Sequence, residues 1–138
     1  IVPADTNAVA VLDEILPELT GRMRASALRV PVANGSVVDL TIQFGRDISI
    51  DRLNEVVRTA AAGPYRGIVE YVDDPIVSID VTSNAYSATY DSLATMVLGS
   101  RQAKVLVWFD NSWGYSHRVV DLLLQCAVQD GLNGRADQ

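Results

Sequence analysis

The sequence is poor in the residues that most often carry reactive chemistry. It holds one cysteine, Cys126, and one histidine, His117, in 138 residues. A lone cysteine excludes an internal disulfide, which suits a reducing compartment or a fold that needs no covalent staple. No cluster has metal-ligand spacing, so no metal is expected. Cys126 lies nine positions after His117. On one helix that offset is about two and a half turns, so the pair points to different faces and forms no nucleophile–base couple. Cys126 falls on an apolar stripe and reads as a core residue; His117 reads as solvated or capping near a helix start. Positive charge is also scarce. Lys and Arg number 11 against 17 Asp and Glu, for a net charge of −6. That balance argues against nonspecific nucleic-acid binding, and it requires any anionic ligand to be held by a local group of donors. No apolar run approaches the roughly 18 residues that span a bilayer. Nor does a basic stretch followed by an apolar one mark a secretory signal. These absences predict a soluble, cytoplasmic protein with no nucleic-acid or membrane partner. The first residue is Ile1 rather than Met, which suggests that something precedes it.

What is present is enough for a folded domain. Apolar residues make up 49% and charged residues 20% of the chain, which excludes disorder for most of it and makes one hydrophobic core the default. A helix is expected over 5–16, capped by Asp5 or Thr6, with Val9, Leu12 and Leu16 on one face and Pro17 as its stop. Strands are expected over 23–32 and 36–45, joined across the Asn34-Gly35 turn. Ser49 caps an amphipathic helix over 49–62, with Leu53, Val56, Val57 and Ala60 as its stripe. A short strand over 67–72, a mixed stretch over 76–84 and one or two strands over 86–98 follow. Residues 103–110 carry Val105-Leu106-Val107-Trp108-Phe109, a run buried on both faces and central in its sheet. A last helix spans 115–128, with Val119, Leu122, Leu123 and Cys126 on one side, and 133–138 form a frayed polar tail. The order α-β-β-α-β-β-β-α predicts an α+β fold, a mostly antiparallel or mixed sheet covered by helices on one face.

Three places carry binding chemistry. Asp5-Thr6-Asn7 opens a helix whose free N–H groups and hydroxyl could hold an anion, or could form an ordinary N-cap satisfied by Asp5. Arg29 is a cation within an apolar strand and needs a carboxylate, a phosphate or backbone carbonyls as partner. Asp110-Asn111-Ser112-Trp113-Gly114 joins the central strand to the last helix, where ligand contacts and capping residues both occur.

Three segments resemble the glyceraldehyde-3-phosphate dehydrogenase family. They are Ile1-Val2-Pro3-Ala4-Asp5-Thr6-Asn7-Ala8, then Leu28-Arg29-Val30-Pro31-Val32 with Ser36-Val37-Val38-Asp39-Leu40-Thr41, and Trp108-Phe109-Asp110-Asn111-Ser112-Trp113-Gly114-Tyr115-Ser116-His117-Arg118-Val119-Val120-Asp121-Leu122. The resemblance is collinear, covers nearly the whole chain, and identifies residues 1–138 as a partial catalytic, substrate-binding domain. It implies a phosphorylating aldehyde dehydrogenase in which a cysteine attacks the aldehyde, a histidine assists, hydride passes to NAD or NADP, and inorganic phosphate cleaves the thioester. It also implies a homotetramer of the intact enzyme acting on a sugar phosphate. The family's Ser-x-Cys-Thr-Thr-Asn and Thr-x-His motifs and a Gly-x-Gly-x-x-Gly loop do not occur here, so the dinucleotide-binding domain is expected to be absent, the fragment alone inactive and its hold on a cofactor weak.

By the same resemblance Thr6, Asn7 and Arg29 bind substrate phosphate, while Asn111 and Tyr115 bind the nicotinamide end of the cofactor. The chain supplies no catalytic residue itself. It departs from the family at Asn7, where Gly is usual, and at Ser112, where Glu is common; Asp5-Thr6 is more similar to the erythrose-4-phosphate dehydrogenase branch. A stand-alone interaction or oligomerisation module that keeps the fold is the alternative expectation.

Overall fold

In the computed structural model residues 1–129 are described, and the polar tail expected over 133–138 lies outside them. The chain divides into two compact units, Ile1–Ala33 and Asn34–Gln138.

In the first unit, β1 (Val2–Ala4) pairs antiparallel with β2 (Ala27–Arg29), with Val2 opposite Arg29 and Ala4 opposite Ala27. Helix α1 (Ala8–Ile15) starts later than the sequence suggests, because Asn7 occupies the capping position with φ −98° and ψ 8°. Its half-buried face carries Val9, Asp13 and Leu16, while Leu12 is exposed. Pro17 ends the α-helix as expected but then opens a 3-10 turn, Pro17–Leu19. Proline suits a first helical position because its missing N–H would have no acceptor there. The strand expected over 23–32 is reduced to Ala27–Arg29.

The second unit is built on a four-stranded sheet in the order β3-β6-β5-β4. Strand β3 (Ser36–Gln43) runs antiparallel to β6 (Gln102–Phe109), and β6 runs antiparallel to β5 (Ala88–Leu98). Strand β4 (Val69–Val72) joins the other edge of β5 in parallel. The sheet is therefore mixed and the fold α+β. The hairpin expected across Asn34-Gly35 does not form. β2 uses its backbone groups on β1, and β3 uses its own on β6. Gly35 is still a turn residue: its φ is +85°, and a Cβ there would collide with the Ser78 carbonyl.

Helix α2 (Ile50–Ala62) lies across β4 and β5. Ser49 caps it, its Oγ accepting the Arg52 amide at 3.2 Å, and Gly63 follows its last turn. Leu53, Asn54, Val57 and Ala60 face the sheet, but Val56 is exposed. Beneath α2, Tyr71 and Tyr90 stack with centroids 5.8 Å apart. Tyr90 Oη donates to Asn54 Oδ1 at 2.9 Å and sits 2.8 Å from Thr95 Oγ1. Burial pushes the Tyr90 phenol above its ordinary pKa. Arg58 covers Tyr71, its guanidinium carbon 4.7 Å from the ring centre, and donates to Tyr71 Oη at 3.0 Å.

The core is small. Val81, Tyr90, Ala103 and Val105 are its buried apolar residues among those described. β6 is an inner strand, as expected, but burial on both faces does not extend along the whole run. Leu106, Val107, Trp108 and Phe109 are half-buried; α2 packs on β4 and β5 rather than on β6. The opposite face mixes apolar residues such as Val37 and Met96 with polar contacts: Trp108 Nε1 donates to Asp91 Oδ2 at 3.1 Å, and Lys104 pairs with Asp39 at 2.8 Å.

Helix α3 (Asn111–Gln129) begins directly after β6, four residues before the expected start at 115. Its expected apolar stripe is not covered: Val119, Leu122, Leu123 and Cys126 are all exposed. Cys126 is therefore not a core residue. The helix leaves the end of the sheet and presents that stripe outward, away from the packed interior of its own unit.

Candidate functional site

Thr6, Asn7 and Arg29 all belong to the first unit. Thr6 Oγ1 accepts the Ala8 amide at 3.2 Å, while the Asn7 side chain makes no cap and its carbonyl accepts the Val11 amide at 3.2 Å. Asp5, the alternative cap, makes no such bond among the described residues. The amides of Val9 and Ala10 remain free of acceptors within the helix, as the first turn of any helix leaves them. Arg29 is exposed at the end of β2, opposite Val2, and has no carboxylate partner among the described residues. Its pairing with an internal carboxylate, one of the open alternatives, is not found. Thr6 follows the other end of the ribbon, beyond Ala4. A hydroxyl with free amides and a guanidinium are two separate anion-holding groups rather than one cluster.

Asn111 and Tyr115 belong to the second unit and sit one turn apart on α3. A spacing of four puts them on the same helix face. Both are exposed, Tyr115 at 71%. Asn111 offers one donor group and one acceptor, the complement of a carboxamide, so the side chains present fit a nicotinamide amide. Trp113 and His117 form a tilted pair 5.9 Å apart on the same helix.

The residue ahead of Asn111 is buried and fully engaged. Asp110 is 5% exposed. Its Oδ1 accepts the amides of Ser112 and Trp113 at 3.1 and 3.0 Å and thereby caps α3. Its Oδ2 accepts Asn34 Nδ2 and the Ser83 amide, both at 2.9 Å. The Trp113 amide, then the Ser83 amide and the Asn34 side chain, hold the Asp110 carboxyl below its ordinary pKa. Gly114 is buried against the loop before β5, where a Cβ would lie 2.9 Å from the Tyr86 carbonyl oxygen. Arg118 adds a bond to Ser87 Oγ at 3.0 Å. The sequence points to the Asp110–Gly114 stretch but not to the remote bonds that Asp110 accepts. An Asp ahead of Asn-Ser-Trp-Gly is an N-cap signal that would have moved the helix start to 111.

Among the described residues no group of three or more His, Cys, Asp or Glu could hold a metal, and no helix is long and apolar enough to cross a membrane. Two surface depressions of about 400 and 270 Å³ flank α2 and include none of these site residues.

The candidate residues are thus exposed groups carried by an α+β chain, Thr6, Asn7, Asn111 and Tyr115 near helix starts and Arg29 at a strand end. The family model described as glyceraldehyde 3-phosphate dehydrogenase, C-terminal domain, matches residues 1–111. The chain belongs to that family. It is 44% identical over 129 residues to glyceraldehyde-3-phosphate dehydrogenase 2 of Bacillus subtilis, an alignment covering 94% of this chain and 38% of that protein. With glyceraldehyde-3-phosphate dehydrogenase 1 of Streptomyces avermitilis the identity is 47% over 124 residues, 90% of this chain and 37% of the relative. A fungal relative, glyceraldehyde-3-phosphate dehydrogenase 1 of Trichoderma koningii, is 37% identical over 94% of this chain and 39% of its own length. The chain thus spans about two fifths of the length of the relatives it matches.

Proposed function

We propose that this chain is the substrate-binding part of the catalytic domain of an NAD- or NADP-dependent phosphorylating aldehyde dehydrogenase, cytoplasmic and tetrameric when intact, that oxidises a sugar phosphate such as glyceraldehyde 3-phosphate. The observation that carries the reading is Arg29, an exposed guanidinium with no carboxylate partner among the described residues, in a chain of this family. In an acidic protein a free arginine beside an apolar ribbon is suited to a phosphate, which it can grip through two parallel N–H bonds. Thr6, Asn7 and the free amides of α1 hold a second phosphoryl group by hydrogen bonds and the helix dipole. Separate positions for two anions suit a reaction that uses a phosphate ester and inorganic phosphate together.

Asn111 orients the nicotinamide through its carboxamide, and Tyr115, on the same helix face, packs near the ring. When bound, the nicotinamide supplies the hydride acceptor. The nucleophile and the base are not among these 138 residues. Cys126 and His117 lie at positions that do not match the family's, and neither takes those roles. The 138-residue polypeptide alone is therefore inactive and holds no cofactor tightly.

Replacing Arg29 by Ala in the intact dehydrogenase tests the reading. Loss of a charge-assisted bond to phosphate should raise the KM for the phosphorylated aldehyde about ten- to hundredfold. An unchanged KM would leave Arg29 without a substrate role and favour the second reading, an interaction module. The exposed apolar residues of α3, Leu122, Leu123 and Leu124 among them, are what favours that alternative.

A further inference from the structure

We propose that Asp110 is a positioning residue for the cofactor: by tying two remote parts of its unit to the first turn of α3, it fixes the direction in which Asn111 presents its amide to the nicotinamide carboxamide. The proposal rests on the reading of Asn111 given above and extends it to a residue that touches no ligand. A helix cap needs one carboxylate oxygen, and Oδ1 already serves that role through Ser112 and Trp113. Oδ2 is therefore surplus to capping. It is spent on Asn34, 76 residues away, and on the amide of Ser83, 27 residues away.

Ser83 itself holds a left-handed conformation, φ 60°, that a non-glycine residue adopts at a cost. Its amide donates to Asp110 Oδ2. Two further contacts close the arrangement: Gly114 against the Tyr86 carbonyl, and Arg118 on Ser87. The helix start can neither rotate about its axis nor slide along it without breaking several of these. Asn111 adjoins the anchor in sequence, so its backbone direction follows from it. A mutually oriented pair of amides loses much of its value when displaced by about 1 Å, which is why such support matters for binding.

The test uses the intact dehydrogenase and whichever of NAD or NADP gives it the higher kcat/KM. Asp110→Asn keeps the size of the side chain but replaces one acceptor oxygen by a donor. It should raise the KM for that cofactor about tenfold, the size of one displaced hydrogen bond, and leave the KM for the phosphorylated aldehyde within about twofold. Asn111→Ala separates the two layers of the argument. If it leaves the cofactor KM unchanged, the assignment of Asn111 fails and the positioning role falls with it. If it raises that KM while Asp110→Asn does not, Asn111 stands and the positioning role alone is overturned.

The double variant is the readout that a merely structural residue would not pass. An Asp110 that acts through Asn111 adds nothing to the cofactor KM of Asn111→Ala. Multiplied effects would overturn the proposal. If Asp110→Asn gives no folded enzyme, Asn34→Ala decides, because it removes one donor from Oδ2 and leaves the cap on Oδ1. A selective rise in cofactor KM supports the proposal, and an unchanged one overturns it.

Discussion

Asp110 shows how much one carboxylate can do when both oxygens are in use. Its folded-state pKa is lowered by amides and an amide side chain rather than by a cation, so the effect is insensitive to mild changes in salt. A depressed carboxyl pKa contributes stability above the unfolded value, about 3.9, and loses it as pH falls through the folded one. The stability gap between the protein and Asp110→Asn should be full at pH 7 and shrink steadily below about pH 4. Urea unfolding of both proteins across that range measures it, and a gap that widens in acid would contradict the assignment. Gly114 is constrained by space instead. A methyl group there meets the Tyr86 carbonyl at 2.9 Å, so Gly114→Ala should cost about 1–3 kcal/mol, although alanine is the better helix former. At this scale Arg29 and Asn111 were legible as candidates from residue type and context. The ties on Asp110 were not, since Asn34 and Ser83 come from remote parts of the chain.

Elements with strong local signals were read well. Ser49 ahead of an apolar stripe and Gly63 behind it bracket α2 to within a residue, because its cap and period are encoded locally. Ser49→Ala should lower stability by about 0.5–2 kcal/mol, seen as an earlier midpoint in thermal unfolding, since the Arg52 amide loses its acceptor. Strand β6 was placed correctly as an inner strand for a related reason: its apolar run is too dense for an edge. Pairing was harder. The Asn34-Gly35 turn has the chemistry of a hairpin, yet its flanking segments find other partners, and no local rule shows that β2 belongs with β1. α3 was placed late because Trp113 and Gly114 resemble loop residues, whereas Gly114 is there for close approach to another segment. The expected burial of Val119, Leu122, Leu123 and Cys126 failed in a different way: their spacing marks a helix face correctly but does not say whether its own unit covers it.

For the whole molecule, exposed apolar surface is the main physical fact. Val37, Val38 and Leu40 on β3, Leu93, Met96 and Leu98 on β5 and much of α3 are more than a third exposed. Surfaces of this kind on separate elements favour association. The 138-residue polypeptide should therefore self-associate at high concentration and bind a hydrophobic dye; light scattering that shows monomer alone across the concentration range would refute this. The order of the strands also has a kinetic side. Strand β3 finds its pairing partner in β6, made about sixty residues later. At about 5–20 residues per second, a growing chain would carry β3 without its partner for roughly 3–12 s. During synthesis that strand has an open edge and apolar side chains at once, and it is the segment for which a chaperone would have the longest time to compete.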